Sequence, residues 1–355
     1  MYLTLEKRLH FSPVTRISVS LIAIAVAILV GGIFLFAVGV NPFHAYGLVI
    51  EQIFMDYWGW QDLLVKIIPF LLTGIAVALA AQMKLWNIGA EGQLYLGAVA
   101  ATWVALNWGN ELSIWMMIPI MILSAMVSGA CWAFIPGFLK AQFGVNEIIT
   151  TLLLNYVAIS WVDYLLYGPW RDPGSNNFPV TREFPDSAQL PAFGNTSIHF
   201  GLIIGLMVIF LVYFILEKTE VGFKVKVIGD NIYAAKYSGF NIKWITLAIV
   251  MISGALAGIA GMAEVAGVHY RLKQNFSINY GYTGIIVAWL GRNHPIAIIF
   301  TAFFLAVVFV SGELMQLEFS LPIAMIYLFE GIILFSVLGS EIFTEYKIKI
   351  KNVVT

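Results

Sequence analysis

The sequence predicts an all-α integral membrane protein with about ten transmembrane helices, some of them short or broken. Three observations carry that expectation. Hydrophobic residues make up 60 % of the 355-residue chain and charged residues 11 %, with a mean hydropathy of +0.88; a soluble domain carries roughly 25 % charge. Several apolar runs reach the about 20 residues that a helix needs to cross a bilayer. The alternating pattern of a membrane barrel is missing. The chain reads as one polytopic domain over 1–355, without a soluble domain or low-complexity tract.

Taken in order, ten stretches fit crossings: 17–40, 63–83, 87–106, 114–139, 147–167, 198–216, 244–266, 277–291, 295–313 and 320–338. The first exceeds the about 7–15 apolar residues of a signal peptide and no cleavage box follows, so it reads as a retained span. The third and eighth are Gly-rich and short of strongly apolar residues. Each fits a re-entrant or broken helix, tolerated where protein or a wet cavity covers the backbone. Small-residue stretches at 73–81 and 253–261 precede these interrupted segments. They permit close helix approach in lipid, and their repetition fits two related halves as well as plain packing.

The even count agrees with the charges. With both termini cytoplasmic, 14 of the 19 Lys and Arg residues fall on cytoplasmic segments, and Arg171, Arg182, Arg271 and Lys273 lie outside. That asymmetry is the positive-inside rule. Two outer segments are long. The first, 41–62, carries Glu51, Asp56 and Asp62 without a basic residue, plus Trp58 and Trp60, which suit the interface. The second, 168–197, mixes Pro with Asn, Ser and Gly and reads as an irregular loop, a bland connector or a receiver for an outside partner. The single Cys131 excludes an intrachain disulfide, and a net charge of −1 argues against a nucleic-acid partner.

The segment 86–93, WNIGAEGQ, is the most unusual intramembrane sequence. Asn87, Glu91 and Gln93 fall where exposure to lipid is costly, while Gly89 and Gly92 loosen the helix. They fit a substrate pathway; they also fit a buried polar knot that fixes packing. In 280–289, YGYTGIIVAW, Tyr280 and Tyr282 stand beside flexible Gly, where rings can stack on a planar ligand or simply fill a core. Asn155 lies deep in the fifth crossing and fits a cavity lining. Asn146 and Glu147 bracket its start; Glu147 sits at the cytoplasmic interface, where a structural role is expected, and Glu264 and Glu330 lie near membrane ends without a proton-carrying role. No GxxxxGK[ST] phosphate loop, GxSxG or HExxH occurs, and the five His are scattered singly. Catalysis and metal binding are therefore not expected of this chain.

The loop 217–243 interrupts the apolar pattern with five Lys and three acidic residues. Asp230 or Asn231 supplies an N-cap, 232–237 about two helical turns, and Gly239 a stop. A capped mini-helix is more than a connector needs, so the loop reads as a docking element for a cytoplasmic partner.

The ordered set NIGAEGQ at 87–93, GVNEIITTLLLNY at 144–156, GDNIYAAKYSG at 229–239 and GYTGIIVAWLGRNHP at 281–295 resembles a bacterial ABC importer permease. More narrowly it is similar to the ribose/branched-chain amino acid permease superfamily, nucleoside-type branch. Each motif is modestly specific; their order is what carries the likeness. The resemblance implies a type II-like permease of about ten spans in the bacterial cytoplasmic membrane, working by alternating access. It implies a second permease subunit, identical or homologous, cytoplasmic ABC ATPase subunits holding ATP and Mg, and an external substrate-binding protein or lipoprotein. No cofactor is expected on this chain. Within 217–243 it assigns ATPase coupling to Gly229, Asp230, Asn231, Ala234, Ala235 and Gly239. Nucleosides are the implied substrate; ribose and other simple sugars fit too. A secondary transporter driven by ions also uses broken helices of the 87–93 kind, but has no need of the capped loop helix.

Overall fold

The computed structural model describes residues 2–7, 13–322 and 346–351, together with 324, 327–328, 331–332, 335–336 and 339–340. It divides into two compact units, Gln61–Ala306 and a second formed by Met1–Trp60 with Val307–Thr355.

The second unit contains α1 (Pro13–Ala37), α2 (Pro42–Ile50) and a π-helical turn, Glu51–Met55. The 41–62 segment is thus largely helical. Asn41 explains why: its side chain accepts from Phe43 N at 3.0 Å, and Pro42 follows at the first helical position. Tyr46 OH donates to the Ile28 carbonyl at 2.6 Å and ties α2 to α1. Strands β1 (Tyr2–Lys7) and β2 (Tyr346–Lys351) pair antiparallel, Tyr2 opposite Lys351, a feature the apolar pattern did not announce. The tenth expected crossing, 320–338, and Glu330 fall largely or wholly outside the described residues.

The larger unit holds most of α3 (Tyr57–Ala81), then α4 (Ala90–Trp108), α5 (Ile114–Phe143), α6 (Glu147–Tyr167) and α7 (Gly201–Lys218). Next come α8 (Glu220–Asp230), α9 (Ile232–Tyr237), α10 (Ile242–Glu264), α11 (Tyr280–Leu290) and the first half of α12 (Pro295–Phe319). Among the described residues, α3, α5, α6, α7, α10 and α12 are long and apolar enough to cross a membrane. The third and eighth expected crossings do not meet that standard, and of the first only Ala25–Ala37 counts, as a shorter apolar helix. α4 opens on a polar turn, and α11 has 11 residues, about 16 Å of rise against about 30 Å of hydrocarbon. α10 runs into a π turn, Val265–His269, and the backbone then passes through left-handed Tyr270 and Asn279 before α11 begins. The eighth expected crossing is therefore a short helix entered through irregular backbone.

α4, α5 and α10 form the packed centre. Their contact is a seam of small residues: Gly97 on α4 closes on Gly258 of α10, and Ala125 and Gly129 of α5 close on the same residue. A side chain at Gly258 would meet carbonyl and Cα atoms of backbone, not flexible side-chain ends. Close approach of this kind is how helices gain contact in lipid. Gly258→Val should therefore destabilise the bundle by about 3 kcal/mol, measured as a fall in melting temperature of the detergent-purified protein. The outer faces carry Leu123, Val127, Leu153, Met207, Phe210 and Phe214, all exposed, an apolar surface suited to lipid.

The 168–200 segment is an ordered cap. Thr181 N and Phe184 N donate to the Leu272 and Tyr270 carbonyls at 2.9 and 2.7 Å, and Leu190 N donates to Ala266 at 2.8 Å. These bonds satisfy the irregular backbone after α10, which has no helical partners of its own. His199 closes the cap, 1 % exposed, with Nδ1 accepting from Gly201 N at 3.2 Å. Burial pushes its imidazole from the usual 6.5 down to about 4. The unfolded chain therefore takes up this proton first, and stability present above pH 6.5 is lost as pH falls toward 4. On the scale of about 1.4 kcal/mol per pKa unit this amounts to about 3 kcal/mol. His199→Asn should flatten the dependence of melting temperature on pH across that window.

Candidate functional site

Two places in the larger unit collect the residues that the sequence marks. The first is where the N-termini of α4 and α11 meet in the packed interior. Each terminus presents unpaired backbone N–H groups and a partial positive charge. Glu91, in the first turn of α4, reaches across, and Gly281 N donates to its Oε2 at 2.6 Å. Ser277, which accepts from Tyr280 N at 3.2 Å, stands beside the same carboxylate. One acidic side chain thus bridges two helix starts.

The neighbouring amides complete the joint. Asn155 of α6 accepts from Gly92 N at 2.9 Å and donates to the Ile88 carbonyl at 2.8 Å and to Tyr282 OH at 3.0 Å. Asn87 and Gln93 exchange a reciprocal amide pair at 2.8 and 2.9 Å. Asn87 also donates to Ser253 Oγ at 2.7 Å, and Ser253 donates to the Ala76 carbonyl at 2.6 Å. Asn87, Glu91, Gln93, Asn155 and Tyr280 are each at most 3 % exposed; Tyr282 is half-buried. The structure thus brings all six predicted pathway residues into one region linking α3, α4, α6, α10 and α11. Sequence reasoning missed Ser253, which it treated only as the start of a small-residue stretch, and Ser277. Neither has a local signal, because both act on residues far away in the chain.

The other single residues sort themselves by geometry. Asn146 caps α6 through Ile148 N at 2.9 Å, and Glu147 pairs with Lys140 at 2.7 Å, both structural roles. Glu264 is 5 % exposed and accepts from Tyr280 OH at 3.4 Å, so it lies further inside than its place near a span end had implied. Among the described residues no group of His, Cys, Asp or Glu is arranged to hold a metal ion.

The second place is α8 and α9. Thr219 caps α8 through Gly222 N at 3.3 Å, and Val225 and Ile228 give it a buried face. The sequence reading left α8 as loop because its two glycines and its charges obscure that short periodicity. α9 matches the expected 232–237. A six-residue helix is marginal alone, and Asn231 holds it by accepting from Tyr233 N and Ala234 N at 2.9 and 3.1 Å. Gly239 ends it at φ +75°, which glycine adopts without strain.

The predicted coupling residues divide between the two faces of this element. Ala235 is fully buried, and Gly229 lies so close to the Gln82 carbonyl at the end of α3 that any side chain would overlap it. Asp230, Asn231, Ala234 and Gly239 face outward. Beside them Tyr233 and Tyr237 are 78 % and 96 % exposed, an aromatic surface of the kind that anchors a protein partner.

Comparison with known proteins agrees with this architecture. The family described as "Branched-chain amino acid transport system / permease component" matches residues 60–338. The chain is 37 % identical to the glucose ABC transporter permease protein TsgB13 of Haloferax volcanii, over 93 % of this chain and 89 % of that one. It is 29 % identical to the guanosine ABC transporter permease protein NupP of Bacillus subtilis, covering 92 % and 94 %. It is 30 % identical to the nucleoside ABC transporter permease protein NupB of Lactococcus lactis, covering 82 % of each. These matches span the polar joint and the α8–α9 element alike. The chain is a multi-pass membrane transport subunit and belongs to the family of branched-chain amino acid transport system permease components.

Proposed function

We propose that this chain is the permease subunit of an ATP-driven importer that moves nucleosides across the cytoplasmic membrane by alternating access. The observation that carries the reading is α9: a capped short helix with two outward tyrosines, in a chain that has no phosphate loop of its own. Energy then enters from a partner ATPase, which binds ATP and Mg, while this chain binds no cofactor. Gly229, Asp230, Asn231, Ala234, Ala235 and Gly239 form the seat for that partner. The positive-inside charge pattern puts α8, α9 and both termini in the cytoplasm. A second permease subunit and an external binding protein or lipoprotein complete the assembly.

In this reading the joint at Glu91, Asn87, Gln93, Asn155, Tyr280 and Tyr282 borders the pathway and holds its helices as one body. Its polar groups are paired with one another, so the helices it joins move together, and no carboxylate has to carry a proton. Nucleosides are favoured by the segments 144–156 and 281–295 and by the relatives named for guanosine and nucleosides. The relative named for glucose, more similar to this chain than those two, favours a sugar as the second reading. Uptake of labelled guanosine into vesicles separates them. Guanosine uptake that adenosine and not glucose competes away supports the nucleoside reading; uptake of labelled glucose with none of guanosine overturns it.

A further inference from the structure

At the α8–α9 end of the larger unit a cleft of about 180 Å³ opens between the end of α3, the turn before α4, and α11. Trp86 and Trp289 border it from two different elements, ring centroids 4.9 Å apart and planes at 44°. Neither indole is covered: they are 38 % and 40 % exposed. Val77, Ala81, Leu85 and Ile285 supply an apolar floor. Asn293, also in the wall, has its side-chain oxygen shut away from solvent with no hydrogen-bond partner. Its backbone oxygen is held by Gln82 Nε2 at 2.6 Å, and its φ is +56°. An unpaired buried acceptor and a left-handed non-glycine residue are both unfavourable, and such features gather at binding sites.

We propose that this cleft is a stacking subsite for the base of a purine nucleoside, with the exposed ring faces of Trp86 and Trp289 stacking on it and the Asn293 side-chain amide in the wall beside its polar edge. The inference rests on the nucleoside reading above. Volume and chemistry both point to a base. The cleft is smaller than the about 300–1,000 Å³ of a whole-ligand pocket, so it takes one ring system. A hexose carries hydroxyls around its ring, and of the wall's polar side chains, Lys84, Asn87 and Asn293, Asn87 is already paired, which leaves Lys84 and Asn293 to meet them and most hydroxyls at a loss. A base presents an apolar face to indole and confines its polar groups to the edge. Asn87, whose amide is already paired with Gln93 and Ser253, forms the wall between the cleft and the polar joint. The subsite therefore lies where a nucleoside leaves the joint for the cytoplasm.

The test is photolabelling of the intact, membrane-embedded transporter with a photoreactive azidoadenosine, followed by peptide mapping. Label is expected in 84–93 and 285–293, displaced by excess guanosine. Stacking on an aromatic side chain is worth enough to change occupancy about ten-fold or more. Trp289→Leu should lower labelling by that factor, and Trp289→Phe should restore most of it. Asn293→Gly suits the φ of +56° and removes the side-chain amide; it should weaken labelling without lowering the melting temperature. Guanosine-sensitive label elsewhere in the chain, or labelling unchanged in both Trp289→Leu and Asn293→Gly, overturns the subsite and leaves the nucleoside reading intact. Label displaced by glucose and not by guanosine overturns both.

Discussion

Replacing Gly229 and Ala235 together by tryptophan abolishes ATP-driven uptake while the chain still inserts in the membrane. Gly229 lies against the Gln82 carbonyl, and Ala235 is the one fully buried residue of α9. The indole at 229 has to displace backbone and the one at 235 its buried surroundings, at about 1–3 kcal/mol of overpacking per site. The distortion falls where α8 touches the end of α3, so the outward tyrosines no longer present a fixed surface. The spans themselves are far less affected, because their contacts lie along the α4–α5–α10 seam. Uptake and ATP hydrolysis are measured in parallel on reconstituted transporter: hydrolysis no longer tracks substrate in the double variant. Uptake equal to that of the parent protein would remove α8 and α9 from the coupling path.

Glu91 responds differently to two substitutions. Glu91→Gln keeps an oxygen that accepts from Gly281 N, so uptake survives and stays indifferent to a protonophore. Glu91→Leu leaves that N–H unpaired in the interior, which costs about 1–3 kcal/mol. It also removes the bridge between two positively polarised helix starts. Melting temperature and uptake both fall. Loss of uptake in Glu91→Gln, joined with protonophore sensitivity of the parent, would instead make this carboxyl a proton carrier and favour secondary transport.

Much of this arrangement was legible in the chain. The fifth crossing has the bounds read from its apolar run, and α9 those read from Asn231 and Gly239, which are local cap signals. The two interrupted crossings were marked by their glycines, and they are the two helices whose starts meet at Glu91. Asn87, Glu91 and Gln93 of the joint were identifiable as costly in lipid, while Ser253 and Ser277 were not. The pairing within the joint was not legible: Asn155 and Tyr282 stand 127 positions apart, and Glu91 and Gly281 190 apart. No local pattern encodes such a bond. α2 and α8 were hidden for a different reason. Each is short and carries glycine or aromatic residues that blur a helical period, and each depends on a capping side chain and on its neighbours for stability.

The most direct test of the account is purification of the tagged protein from its native membrane, followed by reconstitution in vesicles. The account predicts a stoichiometric partner with a phosphate loop, and nucleoside uptake that requires ATP and persists when ion gradients are collapsed. A lone polytopic chain whose uptake follows an ion gradient would contradict it.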